Sequence, residues 1–223
     1  MQEELAIEKR TVERFKIRTV LFHWTHTIAF LALIVTGLIL FVPWFGAAAA
    51  GGATRVIHRI FAVLFVVLPV LYFPLNIKES IHFVKESLIG YDLSDLGWMM
   101  AAPDYYFGGD ENKMPPQGHA NTGQKMWQTV CILTYVLFLI TGAIMWFLRG
   151  SVSPAVFQWS MLIHSVAFLL AFIMLFVHVY LGVLHPRMNE SLKSMLDGKI
   201  SPHYAKHHYG NWYDEISEGE TKH

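Results

Sequence analysis

The chain has 223 residues, 54% apolar and only 15% charged, and its 17 Lys and Arg are balanced by 17 Asp and Glu. A soluble domain of this size carries nearer a quarter of its residues as charge, so the composition points to a membrane protein of about one domain. The single cysteine, Cys131, excludes disulfides, a Cys-ligated iron–sulfur cluster and covalent cofactor attachment through C-x-x-C-H, and the twelve histidines become the place to look for chemistry.

The N-terminal segment carries charges of both signs at Glu3, Glu4, Glu8, Lys9 and Arg10. The apolar run after it is far longer than the core of a signal peptide, so it reads as a retained span. A membrane helix needs about 20 mostly apolar residues, and four stretches meet this, at 19–44, 55–76, 126–148 and 154–185. Residues 47–53, rich in Ala and Gly, read as a small-residue loop. Pro69 and Pro74 predict a kink in the second span, and Pro154 suits the first turn of the fourth. Trp44, Trp146 and Trp159 sit at span ends on one side, as an aromatic belt does. The long loop at 77–125 carries Pro, Gly and acid-rich stretches and a candidate surface helix near 78–89.

Four spans put both termini on one side. That side holds Lys9, Arg10, Arg14, Lys16 and Arg18, then Lys78, Lys85, Lys113 and Lys125, then Arg187, Lys193, Lys199, Lys206 and Lys222; the other holds only Arg55, Arg59 and Arg149. Positive charge favours the cytoplasm. The expected fold is therefore an all-α membrane protein, a four transmembrane helix bundle with both termini cytoplasmic, and the whole chain, 1–223, reads as a single domain.

Ionisable residues inside a bilayer are costly and mark function by default. Here His23, with His26 three residues on, lies in the first span, His58 in the second, and His164 and His178 in the fourth. His164 and His178 are 14 residues apart, which is nearly four turns, so they share a face about 21 Å apart along the axis. That is room for two haems stacked across the membrane, each held by one of these imidazoles. Depth supplies the second ligand of each: His23 is level with His178 on the cytoplasmic side, and His58 with His164 on the outer side. Bis-imidazole ligation leaves no open iron position and suits electron transfer. Gly37 follows His23 by the same 14 residues and, with Gly142, suits the close approach of a flat macrocycle; ordinary small-residue helix packing at Thr36-Gly37 and Thr141-Gly142 is the alternative. His185, on the face of His178 at the cytoplasmic boundary, is a candidate propionate partner or proton relay; a snorkelling interfacial histidine is the alternative. Arg55 and Arg59 flank His58 as candidate propionate partners, with topological anchoring as the alternative. His82, His119, His203, His207, His208 and His223 lie outside the spans and read as solvated.

These residues fall in segments that resemble the gamma subunit of respiratory formate dehydrogenase, a di-haem cytochrome b. The segments are Phe22-His23-Trp24-Thr25, Arg55-Val56-Ile57-His58, Asn121-Thr122-Gly123-Gln124-Lys125-Met126, Leu162-Ile163-His164 and Val177-His178-Val179-Tyr180, followed by Asp197-Gly198-Lys199-Ile200-Ser201, Tyr204-Ala205-Lys206-His207-His208 and Trp212-Tyr213. The loop at 86–119 is longer than the family pattern.

The resemblance implies two b haems on His23, His58, His164 and His178, and it selects His23 over His26. It implies a quinone, often menaquinone, near the cytoplasmic haem, with Asn121, Gly123 and His178 matching its surroundings and Gln124 beside them. A polar amide at the start of the third span suits a quinone oxygen, and helix N-capping is the other use of Asn121. The implied partners are an iron–sulfur subunit and a molybdopterin catalytic subunit in a higher oligomer in the bacterial cytoplasmic (inner) membrane, with no nucleic acid. Three other readings fit the residues: the equivalent subunit of a hydrogenase, thiosulfate reductase or other molybdoenzyme; a histidine-dependent transporter; and a purely structural anchor in which the histidines only cross-link helices. The spans contain no Asp or Glu, which counts against the transporter.

Overall fold

The computed structural model describes residues 11–220. Lys9, Arg10, Lys222 and His223, which entered the charge and histidine readings, lie outside them. The four expected spans are four long helices: α1 (Ile17–Phe41), α2 (Ala53–Leu75), α5 (Thr122–Phe147) and α6 (Pro154–Val179), the last continued by a π turn over Tyr180–Leu184. Each is long and apolar enough to cross a membrane. Between α2 and α5 run α3 (Ile77–Ile89) and α4 (Leu93–Tyr106). After α6 come α7 (Asn189–Asp197), α8 (Pro202–His208) and α9 (Gly210–Glu220).

The span limits follow local chemistry. α1 stops short of Trp44 because Pro43 opens a separate 3-10 turn. Residues 46–50, read as loop, instead form one short helical turn, and Gly52, at φ 81°, then reverses the chain into α2. α2 continues through Pro69 and Pro74 to Leu75. α5 begins earlier than expected because Asn121 and Gln124 cap it reciprocally: Asn121 Oδ1 accepts from the Gln124 N–H at 2.9 Å, and Gln124 Oε1 from the Asn121 N–H at 3.0 Å. Within the spans, Thr25, Thr36, Thr134, Thr141, Ser160 and Ser165 each donate to a carbonyl one turn back. That satisfies a hydroxyl where no water is at hand.

Contacts divide the chain into two compact units. The first comprises 21–80 and 130–176 and holds most of all four spans. Ala29, Ile34, Phe65, Ala167 and Ala171 are buried inside it, while Leu21, Ile28, Val35, Ile60, Leu133, Ile140, Val166 and Ile173 are exposed. A bundle with apolar residues on both its inside and outside suits a lipid surround. Its helices are tied in a ring. α1 meets α2 at Thr36 and His58, α2 meets α5 where Tyr135 donates to Val66 O, and α5 meets α6 at Thr141 and His164. Gly37 on α1 approaches Phe168 on α6 to close it.

The second unit gathers the segments up to Val20, 81–129 and 177 onward. A two-residue antiparallel ladder pairs Val12 with Ile200 and Glu13 with Lys199. Gly198 turns the chain into it at φ 80°, and its carbonyl accepts the N–H groups of Arg14 and Phe15. A side chain at Gly198 would meet the Phe15 carbonyl, so glycine is required on two counts. Ile200, Tyr204, Ala205 and Tyr209 form the core, with Trp212 and Tyr213 against it. The helix α4 was not expected. It opens on a capping box in which Asp92 accepts from the Ser94 N–H and Asp95 from the Asp92 N–H.

Candidate functional site

In the spanning unit, His58 and His164 have matching environments built from opposite pairs of helices. Thr36 on α1 lies 2.8 Å from His58 Nδ1, and Thr141 on α5 lies 2.8 Å from His164 Nδ1. The glycine after each threonine faces the same ring: a Cβ at Gly37 would stand 3.7 Å from His58 Cε1, and one at Gly142 3.9 Å from His164 Cε1. Gly37 also faces Phe168, one turn beyond His164, so α1, α2 and α6 converge at that level. Phe138 packs on His164 at 5.0 Å between centroids. The donor set is thus two half-buried imidazoles with Nδ1 held and side-chain-free backbone beside each ring, which fits haem b.

His23, on α1, sits edge-on to Trp24. Its rival His26 is sandwiched between Phe22 and Phe65, at 5.4 and 4.3 Å with both rings near parallel, and Phe65 belongs to α2. His26 is therefore packed into the α1–α2 contact. His178 belongs to the second unit, where Trp127 stacks on it at 4.8 Å and 15°.

The residues matched to a quinone site are all in the second unit, and the structure gives each a structural role. Asn121 is buried and caps α5 through Oδ1; among the described residues its Nδ2 has no acceptor. Gln124 is fully engaged: Oε1 also accepts from Arg14 Nη2, and Nε2 donates to Tyr209 Oη. Gly123 lies under Trp98 of α4, and a Cβ there would come within 2.9 Å of the indole. Trp98, Tyr105, Tyr106, Gln117, Asn121 and His208 line a cavity of about 10 Å³, room for one water.

Three histidine readings need correction. His119 is not solvated: it sits between Phe15 and Trp212, at 5.3 and 5.4 Å, with Nε2 at 3.3 Å from Arg14 O. Burial, then the Arg14 charge, pull its pKa down to about 4. His208 packs on Tyr204 at 4.1 Å, and burial followed by His207 and Arg14 holds it at about 3. His185 is buried rather than interfacial. Its Nδ1 accepts from the Arg187 N–H, so its Nε2 donates to Tyr106 O at 3.1 Å, and both nitrogens serve the fold. His82 and His203 are exposed as expected.

A bundle of four membrane-spanning helices with histidines held at one level is the architecture of a membrane cytochrome b. The family model described as prokaryotic cytochrome b561 matches residues 14–198, and the chain belongs to that family, whose members carry haem b and serve electron transport in the bacterial inner membrane. It is 29% identical over 211 residues to the nitrate-inducible formate dehydrogenase cytochrome b556(Fdn) subunit of Escherichia coli K12, covering 90% of this chain and 89% of that one. The formate dehydrogenase cytochrome b556 subunit of Haemophilus influenzae is 27% identical over 86% of this chain and 78% of its own length. The cytochrome b556(fdo) subunit of Escherichia coli K12 is 24% identical over 95% and 96%.

Proposed function

We propose that this chain is the cytochrome b subunit of a respiratory formate dehydrogenase and carries electrons through two b haems to a quinone. His58 with His164, and His23 with His178, are the axial pairs. The observation that carries the reading is the convergence of the Thr36–His58 and Thr141–His164 arrangements on one level of the spanning unit. Nearly full-length similarity to formate dehydrogenase subunits supports the choice of partner. Haem bound there supplies a one-electron relay across the bilayer.

On this reading both termini are cytoplasmic, as the distribution of Lys and Arg favours. A quinone, menaquinone in the family pattern, is reduced on that side near His178. Asn121 presents Nδ2 to a quinone oxygen while Oδ1 keeps its capping role, and protons come from the cytoplasm. An iron–sulfur subunit and a molybdopterin subunit on the outer side deliver the electrons, and the assembly is a higher oligomer of that complex. The test is to purify the chain with its partner subunits and add formate. Formate should reduce the b haems and then a menaquinone analogue. Haems reducible by dithionite but not by formate would exclude formate dehydrogenase as the partner.

A further inference from the structure

We infer that Thr36 and Thr141 are positioning residues that fix the tautomer and ring orientation of His58 and His164, so that each presents an unprotonated Nε2 to haem iron. This rests on the proposed role of the two histidines as axial ligands, but it adds residues and a mechanism which that role does not contain.

The argument is a count of protons. A threonine hydroxyl has one hydrogen and two lone pairs. Thr36 Oγ1 lies 2.7 Å from Ala32 O, one turn back on α1, and 3.3 Å from Leu33 O. Thr141 Oγ1 likewise bonds Leu137 O on α5. Carbonyl oxygens only accept, so each hydroxyl proton is committed to its own helix. The third polar neighbour, histidine Nδ1 at 2.8 Å in both cases, must then donate. A neutral imidazole has one N–H, so with Nδ1 protonated the lone pair is on Nε2. The opposite tautomer would turn the hydroxyl proton to Nδ1 and leave the threonine and carbonyl oxygens facing each other, at 2.7 Å for Thr36 and Ala32, with no hydrogen between them.

The same contact fixes direction. The bond to the preceding turn restricts the threonine side chain, which in turn restrains the imidazole on the neighbouring helix. The glycine after each threonine leaves the ring edge clear. The two hydroxyls come from different helices, α1 and α5, and act on ligands from α2 and α6, so the device is built twice. A ligand that donates Nδ1–H to an oxygen is a stronger electron donor to the metal. Each threonine therefore lowers the potential of the haem its histidine holds.

The test uses the intact complex carrying Thr36→Val, Thr141→Val, Thr36→Ser, Thr141→Ser and His58→Ala, with haem content, redox titration and low-spin EPR as readouts. Each Val variant should raise the midpoint potential of one and the same haem, shift its EPR signal and weaken its retention about 10- to 100-fold. Each Ser variant, which keeps the hydroxyl, should return all three toward wild type. Val variants with wild-type potential and EPR would overturn the inference, as would haem loss that Ser does not restore, since packing alone would then explain it. Failure of the underlying ligand reading looks different: His58→Ala would retain both haems.

Discussion

Lys125 and Asp95 form an ion pair at 2.8 Å with their side chains only 9% and 3% exposed. Lys125 also donates to Gly90 O, and Asp95 accepts from Thr122 Oγ1 at 2.6 Å. The pair ties α4 to the first turn of α5, immediately after the cap at Asn121. Burial alone raises the Asp95 pKa, but the hydrogen bonds from Lys125, Thr122 and the Asp92 N–H outweigh it and bring it below the ordinary carboxylate value.

Asp95→Ala should therefore leave the Lys125 ammonium buried without a counter-charge, at a cost of about 3–5 kcal/mol. Limited proteolysis should cut the 90–120 segment faster, and Asp95→Ala/Lys125→Met should recover much of the loss. Because the folded pKa is depressed, the contribution of Asp95 is complete above the unfolded carboxylate value near 4 and falls away as pH drops through the lower folded value. Unfolding scans of wild type and Asp95→Ala should converge only at strongly acid pH.

Gly123→Ala should push Trp98 off α5 and cost about 1–3 kcal/mol through overpacking. Indole fluorescence and protease sensitivity of α4 would report it. Unaltered α4 protection in Gly123→Ala would show that Trp98 yields freely.

Asn121→Asp keeps the capping oxygen but replaces the amide donor with an acceptor oxygen and a negative charge. It should slow quinone reduction at least tenfold while leaving both haems bound and reducible by the partner subunits. Unchanged turnover would place the quinone elsewhere. Asn121→Leu removes the cap as well and should add a stability loss of about 1 kcal/mol that Asn121→Asp lacks.

His119 and His208 should make the second unit acid-sensitive above the carboxylate range. Both are held neutral, at about 4 and about 3 when folded, against 6.5 when unfolded. Stability from this source is complete above pH 6.5 and is lost as pH falls through the folded values, because the unfolded chain takes up protons first. The difference in unfolding temperature between pH 7 and pH 5 should shrink in His119→Phe. An unaltered difference in both His119→Phe and His208→Phe would mean that other groups set the acid limit.

What was legible in the sequence divides by the kind of signal. The spans could be read because about 20 uninterrupted apolar residues are a local pattern, and their histidines stood out against it. The Asp92–Asp95 capping box was also readable, yet Pro103 and the polar surroundings of α4 hid a helix whose docking depends on Lys125, 30 positions away. The core of the second unit escaped notice because it is made of Tyr204, Tyr209 and Trp212 in a polar tail. His119 is buried by Phe15 and Trp212, both roughly a hundred residues distant, so no local pattern marks it. Thr36 and Thr141 looked like small packing residues. Only the juxtaposition of helices gives their hydroxyls a histidine to hold.

Variants of the four histidines test the proposed pairing. His58→Ala and His164→Ala should each remove the same haem, and His23→Ala and His178→Ala the other, as read from haem content and redox titration. Loss of the same haem from the His58 and His23 variants would overturn the pairing.

The most direct measurement is the haem stoichiometry of the purified wild-type chain. A pyridine haemochrome assay should show b-type haem only, at about two per polypeptide, if His23, His58, His164 and His178 form the two proposed bis-imidazole pairs. A folded preparation with no haem, or with a single haem that survives replacement of both His58 and His164, would contradict the account.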